Sequence, residues 1–202
     1  IIIEGNEHLS DNKIKGTFFT KGAFTKTHEA GKLENILKSK KFTPERWTED
    51  KKNLITKYNE YGYRDATILK DSVWNVDPKH VDVYVKVDEG KKYYIRNITW
   101  VGNTVYSSDY LSRLLDMKKG DVYNQTYLNK RLSQDEDAVG NAYWNNGYLF
   151  YNLQPTEVNI VGDSIDLEMR IYEGQQAHIN RVTINGNAVS YTHLRAHETP
   201  EH

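Results

Sequence analysis

Residues able to carry chemistry are few and scattered in this chain. It has seven histidines and no cysteine, which removes thiol catalysis, disulfides and thiolate-bound zinc. His193 and His197 stand four residues apart with Glu198 adjacent, a spacing that aligns two imidazoles on a helix face for a metal. No third ligand is evident, and a metal site needs a full set. His8, His28, His80 and His178 suit surface or turn positions. The acidic run Asp135–Asp137 reads as a solvated helix face. No glycine-rich phosphate loop with its lysine occurs, and no Ser/His/Asp constellation can be argued. Asn97-Ile98-Thr99 and Asn124-Gln125-Thr126 fit the glycosylation acceptor pattern. Neither an enzyme nor a cofactor is expected.

One stretch offers hydrogen bonding instead. Ala66, Thr67, Ile68, Leu69, Lys70, Asp71, Ser72 and Val73 form a strand-like run without proline. At the edge of a sheet it presents unpaired backbone N–H and C=O groups that an incoming extended peptide can satisfy. An ordinary solvated edge guarded by Lys70 and Asp71 is the other reading of the same residues. The surrounding elements decide whether the run is an edge.

Those elements repeat. Gly62-Tyr63 is followed by an alternating strand ending Glu89-Gly90 and then a strand ending Gly102-Asn103. The same order returns at Gly147-Tyr148, Glu173-Gly174 and Gly186-Asn187, offset by 85, 84 and 84 residues. A fixed offset marks duplicated structural units. The first unit opens with a strand, IIIEGN at 1–6, whose Ile1 and Ile3 take the places of Ile98 and Trp100 and face the core. A short helix is expected over 9–16. A long one follows over 43–61, with Thr43 as N-cap, Pro44 at its first position and Trp47, Leu54, Tyr58 and Tyr61 as its buried stripe. A hairpin over 64–74 and 80–88 completes the unit, with Val81, Val83, Val85 and Val87 on its buried face.

The second unit has helices near Ser107–Asp116 and Gln125–Asn145, then a hairpin through Tyr148–Ile160 and Ser164–Tyr172. Pro155 interrupts its first strand and blunts that edge, since proline cannot donate to a ladder. The first unit carries about 16 extra residues between its helices, because Asn6 to Phe42 spans 36 residues and Asn103 to Tyr123 spans 20. Surface loops of this kind often carry function, and Gly31–Lys41 could hold a helical turn.

The fold class expected is α+β: tandem βααββ units, each a three-stranded mixed sheet of order 1-3-2 with two helices on one face. A right-handed crossover permits parallel pairing of the first and third strands, leaving the first and second as edges. The expected domains are 1–91 with an insertion at 17–41, 92–175, the first strand of a further unit at 176–187, and a non-native tail at 188–202. The link at Lys91–Tyr94 is short, so a semi-rigid pair is expected. Net charge is −1, which supplies no basic field for nucleic acid. No apolar run approaches the roughly 20 residues that span a bilayer. Ile1 begins directly in a strand-like run, as in an excised fragment.

With its Gly-Asn turns, Gly-Tyr strand starts and Glu-Gly ends in order, residues 1–187 resemble the POTRA domains of outer-membrane assembly factors. The insertion makes the first unit similar to a middle member of such a string. The resemblance implies a periplasmic location at the outer membrane of a diderm bacterium, and a C-terminal β-barrel of the same chain. It implies as partners unfolded outer-membrane proteins and accessory assembly lipoproteins, with binding by β-augmentation at the second-strand edge. POTRA-like units also occur in two-partner secretion transporters and division proteins. An adhesion or carbohydrate-binding module would instead need several aromatics on one exposed platform. Trp47 and Trp100 are placed inside by the pattern.

Overall fold

The computed structural model describes residues 1–16, 22–27 and 42–183. Two three-stranded sheets follow one another. The first holds β1 (Ile2–Glu4), β2 (Thr67–Asp77) and β3 (His80–Asp88) in the order β1-β3-β2. The second holds β4 (Tyr94–Val101), β5 (Asn152–Val161) and β6 (Ser164–Tyr172) in the order β4-β6-β5. The last strand of each unit runs parallel to the first and antiparallel to the second. The expected sheet order therefore holds in both units, and the second strand is an edge in each.

The valine ladder explains the first core. Val83, Val85 and Val87 are buried on one face of β3, while Tyr84 and Lys86 on the other hydrogen-bond Glu4 of β1. Helices α1 (Asp11–Lys15) and α2 (Pro44–Glu60) cover the valine face with Ile14, Trp47, Leu54 and Tyr58. Thr43 caps α2 by accepting from the Arg46 N–H at 3.3 Å, and Pro44 takes the first helical position. Ile1 and Ile3 pack against this core, whereas Ile2 is exposed.

Part of the insertion is core, not free loop. Ala23 and Phe24 are buried, with Phe24 stacked on Trp47 at 5.9 Å. Asp50, fully buried on α2, accepts from the N–H groups of Lys26 and Thr27 and from the Thr27 hydroxyl at 2.6–3.0 Å. A buried carboxylate is tolerated because those donors replace its water. Residues 28–41, with the helical turn expected at Gly31–Lys41, lie outside the described residues.

The second core is built likewise from Ile165, Leu167 and Met169 of β6. Leu111 and Leu115 of α3 (Ser108–Leu115), Leu128 of α4 (Gln125–Ser133) and Val139 and Tyr143 of α5 (Val139–Trp144) lie over them. The single helix expected over Gln125–Asn145 is thus two, and the acidic run Asp135–Asp137 lies in the break between them. Arg131 accounts for this: its guanidinium donates to the Leu114 carbonyl and to the carboxylates of Asp135 and Asp137. The run is solvated as expected, with Glu136 and Asp137 exposed, but it lies off the helix, and its two aspartates hold a mostly buried arginine. Residues 176–183, the described part of the expected further strand, form no strand, and Ile179 and Val182 are exposed. A strand needs a ladder partner, and none of the described residues supplies one.

Candidate edge-strand binding site

Seven of the eight candidate residues lie on β2, at the open side of the first sheet. Ala66 precedes the strand and is buried. Ile68 is half-buried against the first core, opposite Val87. The register shifts between Ile68 and Lys70, so Leu69 is the extra residue of a β-bulge and stands 60% exposed. Lys70 and Ser72 pair with Lys86 and Tyr84 on the face away from the helices, while Asp71 and Val73 pair with Val85 and Val83 on the helix face. Thr67 is exposed at the strand start. Among the described residues β2 has one strand neighbour, β3, and its outer side pairs with none of them.

Asp71 fixes the edge against α2. Its carboxylate accepts from the Trp47 indole N–H at 2.8 Å and from the Lys51 ammonium at 3.0 Å. The indole hydrogen bond holds the Asp71 pKa below the usual carboxylate range, and the lysine adds to that against the effect of burial. Between this strand and α2 runs an open groove of about 520 Å³ lined by Thr48, Lys51, Lys52, Ile55, Ala66, Thr67 and Ile68. A strand laid along β2 would drop every second side chain toward that groove.

The strand runs on to Asp77, past the candidate run's end at Val73 and the hairpin strand's expected end at residue 74. Trp74 and Val76 are also exposed, so the edge carries apolar side chains as far as the Asp77 turn. The groove wall at Ile55 was also missed, although Ile55 follows Leu54 of the buried stripe. On β5, Pro155 pairs opposite Met169 within the strand and the bulge is at Val158. His193, His197 and Glu198, whose spacing suits a metal but lacks a third ligand, lie outside the described residues. His8 and His80 are each bound to a carboxylate, Glu89 and Asp77 respectively, at 2.6 Å.

The glycine and glutamate landmarks are structural. Glu89 is buried and accepts from the N–H groups of His8 and Leu9 at 2.9 and 3.2 Å. Glu173 is buried and accepts from the N–H groups of Thr104 and Val105, the Thr104 hydroxyl and the Tyr143 hydroxyl. Each glutamate thus ties the end of the last strand to the turn after the first. Asn6 and Asn103 close the same turns by donating to the carbonyls of Leu9 and Tyr106. Alternation flags neither glutamate, because each stands just past its strand.

The POTRA family model, described as surface antigen variable number repeat, matches residues 1–90 and 93–174. The chain belongs to the POTRA family. It is 29% identical over 141 residues to the outer membrane protein assembly factor BamA of Neorickettsia risticii, covering 65% of this chain and 19% of that protein. A putative outer membrane protein assembly factor of Treponema pallidum is 24% identical over 192 residues, covering 92% of this chain and 21% of that one. Among solved structures, POTRA3-5 of Haemophilus influenzae BamA matches with a TM-score of 0.59 at 20% identity, covering all of this chain and 75% of that one. The fold is the POTRA fold, and the chain is similar to the POTRA region of BamA while spanning about a fifth of these relatives' length.

The two POTRA units are joined through the turn that leads into the edge strand. The Gly62 carbonyl accepts from the Tyr93 N–H at 2.9 Å, and the Asp65 carboxylate from the Tyr93 hydroxyl at 2.7 Å. Arg64 pairs with Glu157 at 2.6 Å, and Glu157 also accepts from the Tyr123 hydroxyl at 2.8 Å. Tyr93 is buried in the second core, so the link is pinned just after Lys92. Arg64→Ala is expected to remove roughly 1 kcal/mol, the scale of a partly exposed ion pair. Small-angle scattering should then report a wider spread of inter-unit orientations at low salt. An unchanged profile would mean that the Tyr93 bonds to Gly62 and Asp65 hold the joint without Arg64.

Proposed function

We propose that this chain is a binding scaffold of the outer-membrane β-barrel assembly machinery. It works at the periplasmic face of the outer membrane and captures extended segments of unfolded outer-membrane proteins by β-augmentation on β2. Accessory assembly lipoproteins are the other partners of the same string, and the C-terminal β-barrel of the parent chain is its membrane anchor. The role is non-enzymatic. The observation that carries the reading is the eleven-residue strand β2, open along one side and bordered by the groove against α2. Backbone pairing is indifferent to side-chain identity, which suits a factor that receives many clients. The alternating lipid-facing and lumen-facing residues of a barrel strand match a site with an apolar groove on one face only. Lys70 and Asp71 leave the edge polar enough to stay unpaired until a client arrives.

A barrel-strand peptide with N-methyl groups on alternate residues tests the mode of binding. Its side chains are unchanged, but its donors on one side are lost. Each lost hydrogen bond costs about 1 kcal/mol, so losing three weakens binding on the order of 100-fold. Fluorescence anisotropy should register that loss when the methylated side faces β2 and not when it faces away. Equal affinity of both methylated peptides and the parent would show that pairing with β2 does not drive capture.

A further inference from the structure

The groove beside β2 changes character along its length. Ile55 of α2 lines it with Ala66 and Ile68 of the edge, and Lys51 and Lys52 line it one helical turn before Ile55. Lys51 meets Asp71 at 3.0 Å, so the basic end lies beside Asp71, further along β2 than Ile68. One helical turn advances about 5.4 Å. Two residues on the same face of a strand are about 7 Å apart. A strand added to β2 therefore sets one side chain over the apolar end and the next on that face beside the lysines.

The basic end holds an ammonium that nothing neutralises. Asp71 is the only acidic residue between Ala66 and Val73, and its carboxylate is turned onto the Trp47 indole and Lys51. Lys52 is exposed and forms no ion pair among the described residues. The far face of the sheet repeats the situation. Lys70 lies directly opposite Lys86, a like-charge pair that is unfavourable by itself. Glu4 bonds Lys86 at 2.6 Å, while Lys70 is exposed and, among the described residues, in no ion pair. An uncommitted ammonium thus stands on each face of the open edge. The chain as a whole carries a net charge of −1, so this basic character is local. The corresponding groove of the second unit, between α4 and β5, has Gln125, Asn129, Thr156 and Glu157 in its lining and no lysine.

We infer that the β2 edge selects extended segments in which an apolar side chain is followed by two acidic ones. The apolar residue fills the Ile55 end of the groove. The next residue points to the far face beside Lys70, and the one after it returns to the groove face beside Lys52. This inference rests on capture by β2 and adds which segments are captured. The lysines that discourage casual pairing at the edge then become the groups that admit a strand of opposite charge.

Three peptides that differ only in charge test this. Each has one leucine flanked on both sides by two variable residues, so that either strand direction is served. The variable residues are glutamate, glutamine or lysine. In fluorescence anisotropy at low salt the glutamate peptide should bind the chain about threefold to tenfold more tightly than the glutamine peptide, the scale of two solvent-exposed ion pairs. The lysine peptide should bind most weakly, and the differences should shrink toward molar salt. Lys52→Gln with Lys70→Gln should bring the glutamate and glutamine peptides to the same affinity. Equal affinity of all three for the unmodified chain, with amide shifts on β2, overturns the charge selection and leaves capture by β2 standing. A glutamate preference that survives in the double variant also overturns it. Binding without amide shifts on β2 overturns both readings.

Discussion

Glu173→Ala is expected to destabilise the second POTRA unit by about 3–5 kcal/mol, because it strands four donors at once, each costing about 1–3 kcal/mol when buried unpaired. Those donors are the N–H groups of Thr104 and Val105, the Thr104 hydroxyl and the Tyr143 hydroxyl. Water entering the vacated space recovers part of the cost, so the total falls below the simple sum. The effect is local to the unit but reaches its tertiary frame, since the carboxylate joins the end of β6, the turn after β4 and helix α5. Urea denaturation of the variant checks the figure. A loss under about 1 kcal/mol would mean that the carboxylate is replaceable by solvent.

The same residue fixes a pH dependence. Burial pushes the Glu173 pKa up, but the hydrogen bonds from Thr104, Val105 and Tyr143 outweigh it and hold the group below the usual carboxylate range. A depressed folded pKa means stability that is fully present above the unfolded value of about 4.3 and lost as pH falls through the folded one. Glu173→Gln keeps the shape without the titration. It should shrink the acid limb of the second unit, to which Asp137 and Asp166 also contribute, while leaving the first unit's unchanged.

Gly102→Ala is expected to cost about 3 kcal/mol or more, by two separate routes. Gly102 has φ +87°, and a Cβ there would sit 2.1 Å from the Ile171 carbonyl oxygen. Backbone cannot rotate aside as a side chain does, so β4 must shift away from β6 and strain their parallel ladder. Gly120→Ala isolates the conformational part. It has φ +92° with nothing within 4 Å of the added carbon, so its cost should stay near 1–2 kcal/mol. Equal losses at the two positions in thermal unfolding would remove the close approach from the explanation.

Most of the frame was legible in the sequence because it is repeated. Val81 to Val87 and Ile165 to Ile171 alternate cleanly, which sets strand, face and neighbour together, and the strand order 1-3-2 follows from connection rules. What escaped was polar and long-range. Asp50 sits three residues after Trp47 on the buried stripe, and a charge at that place was the available hint that something must satisfy it. The break between α4 and α5 escaped because Arg131, a good helix former, makes its decisive contacts with Leu114, Asp135 and Asp137 in space. For the candidate site, the run from Ala66 to Val73 was readable as a proline-free strand. Its extension to Asp77, the bulge at Leu69 and the anchoring of Asp71 by Trp47 and Lys51 depend on β3 and α2, and no local pattern encodes them.

β2 is the proposed place where an extended client pairs. Amide chemical-shift mapping during titration with a β-rich outer-membrane protein peptide tests that most directly. Backbone amides along Ala66–Val73, continuing to Val76, are expected to shift together, with smaller changes at Lys51, Lys52 and Ile55 across the groove and none along β5. Shifts confined to the helices, or to the residues after 183, with β2 silent, would contradict it.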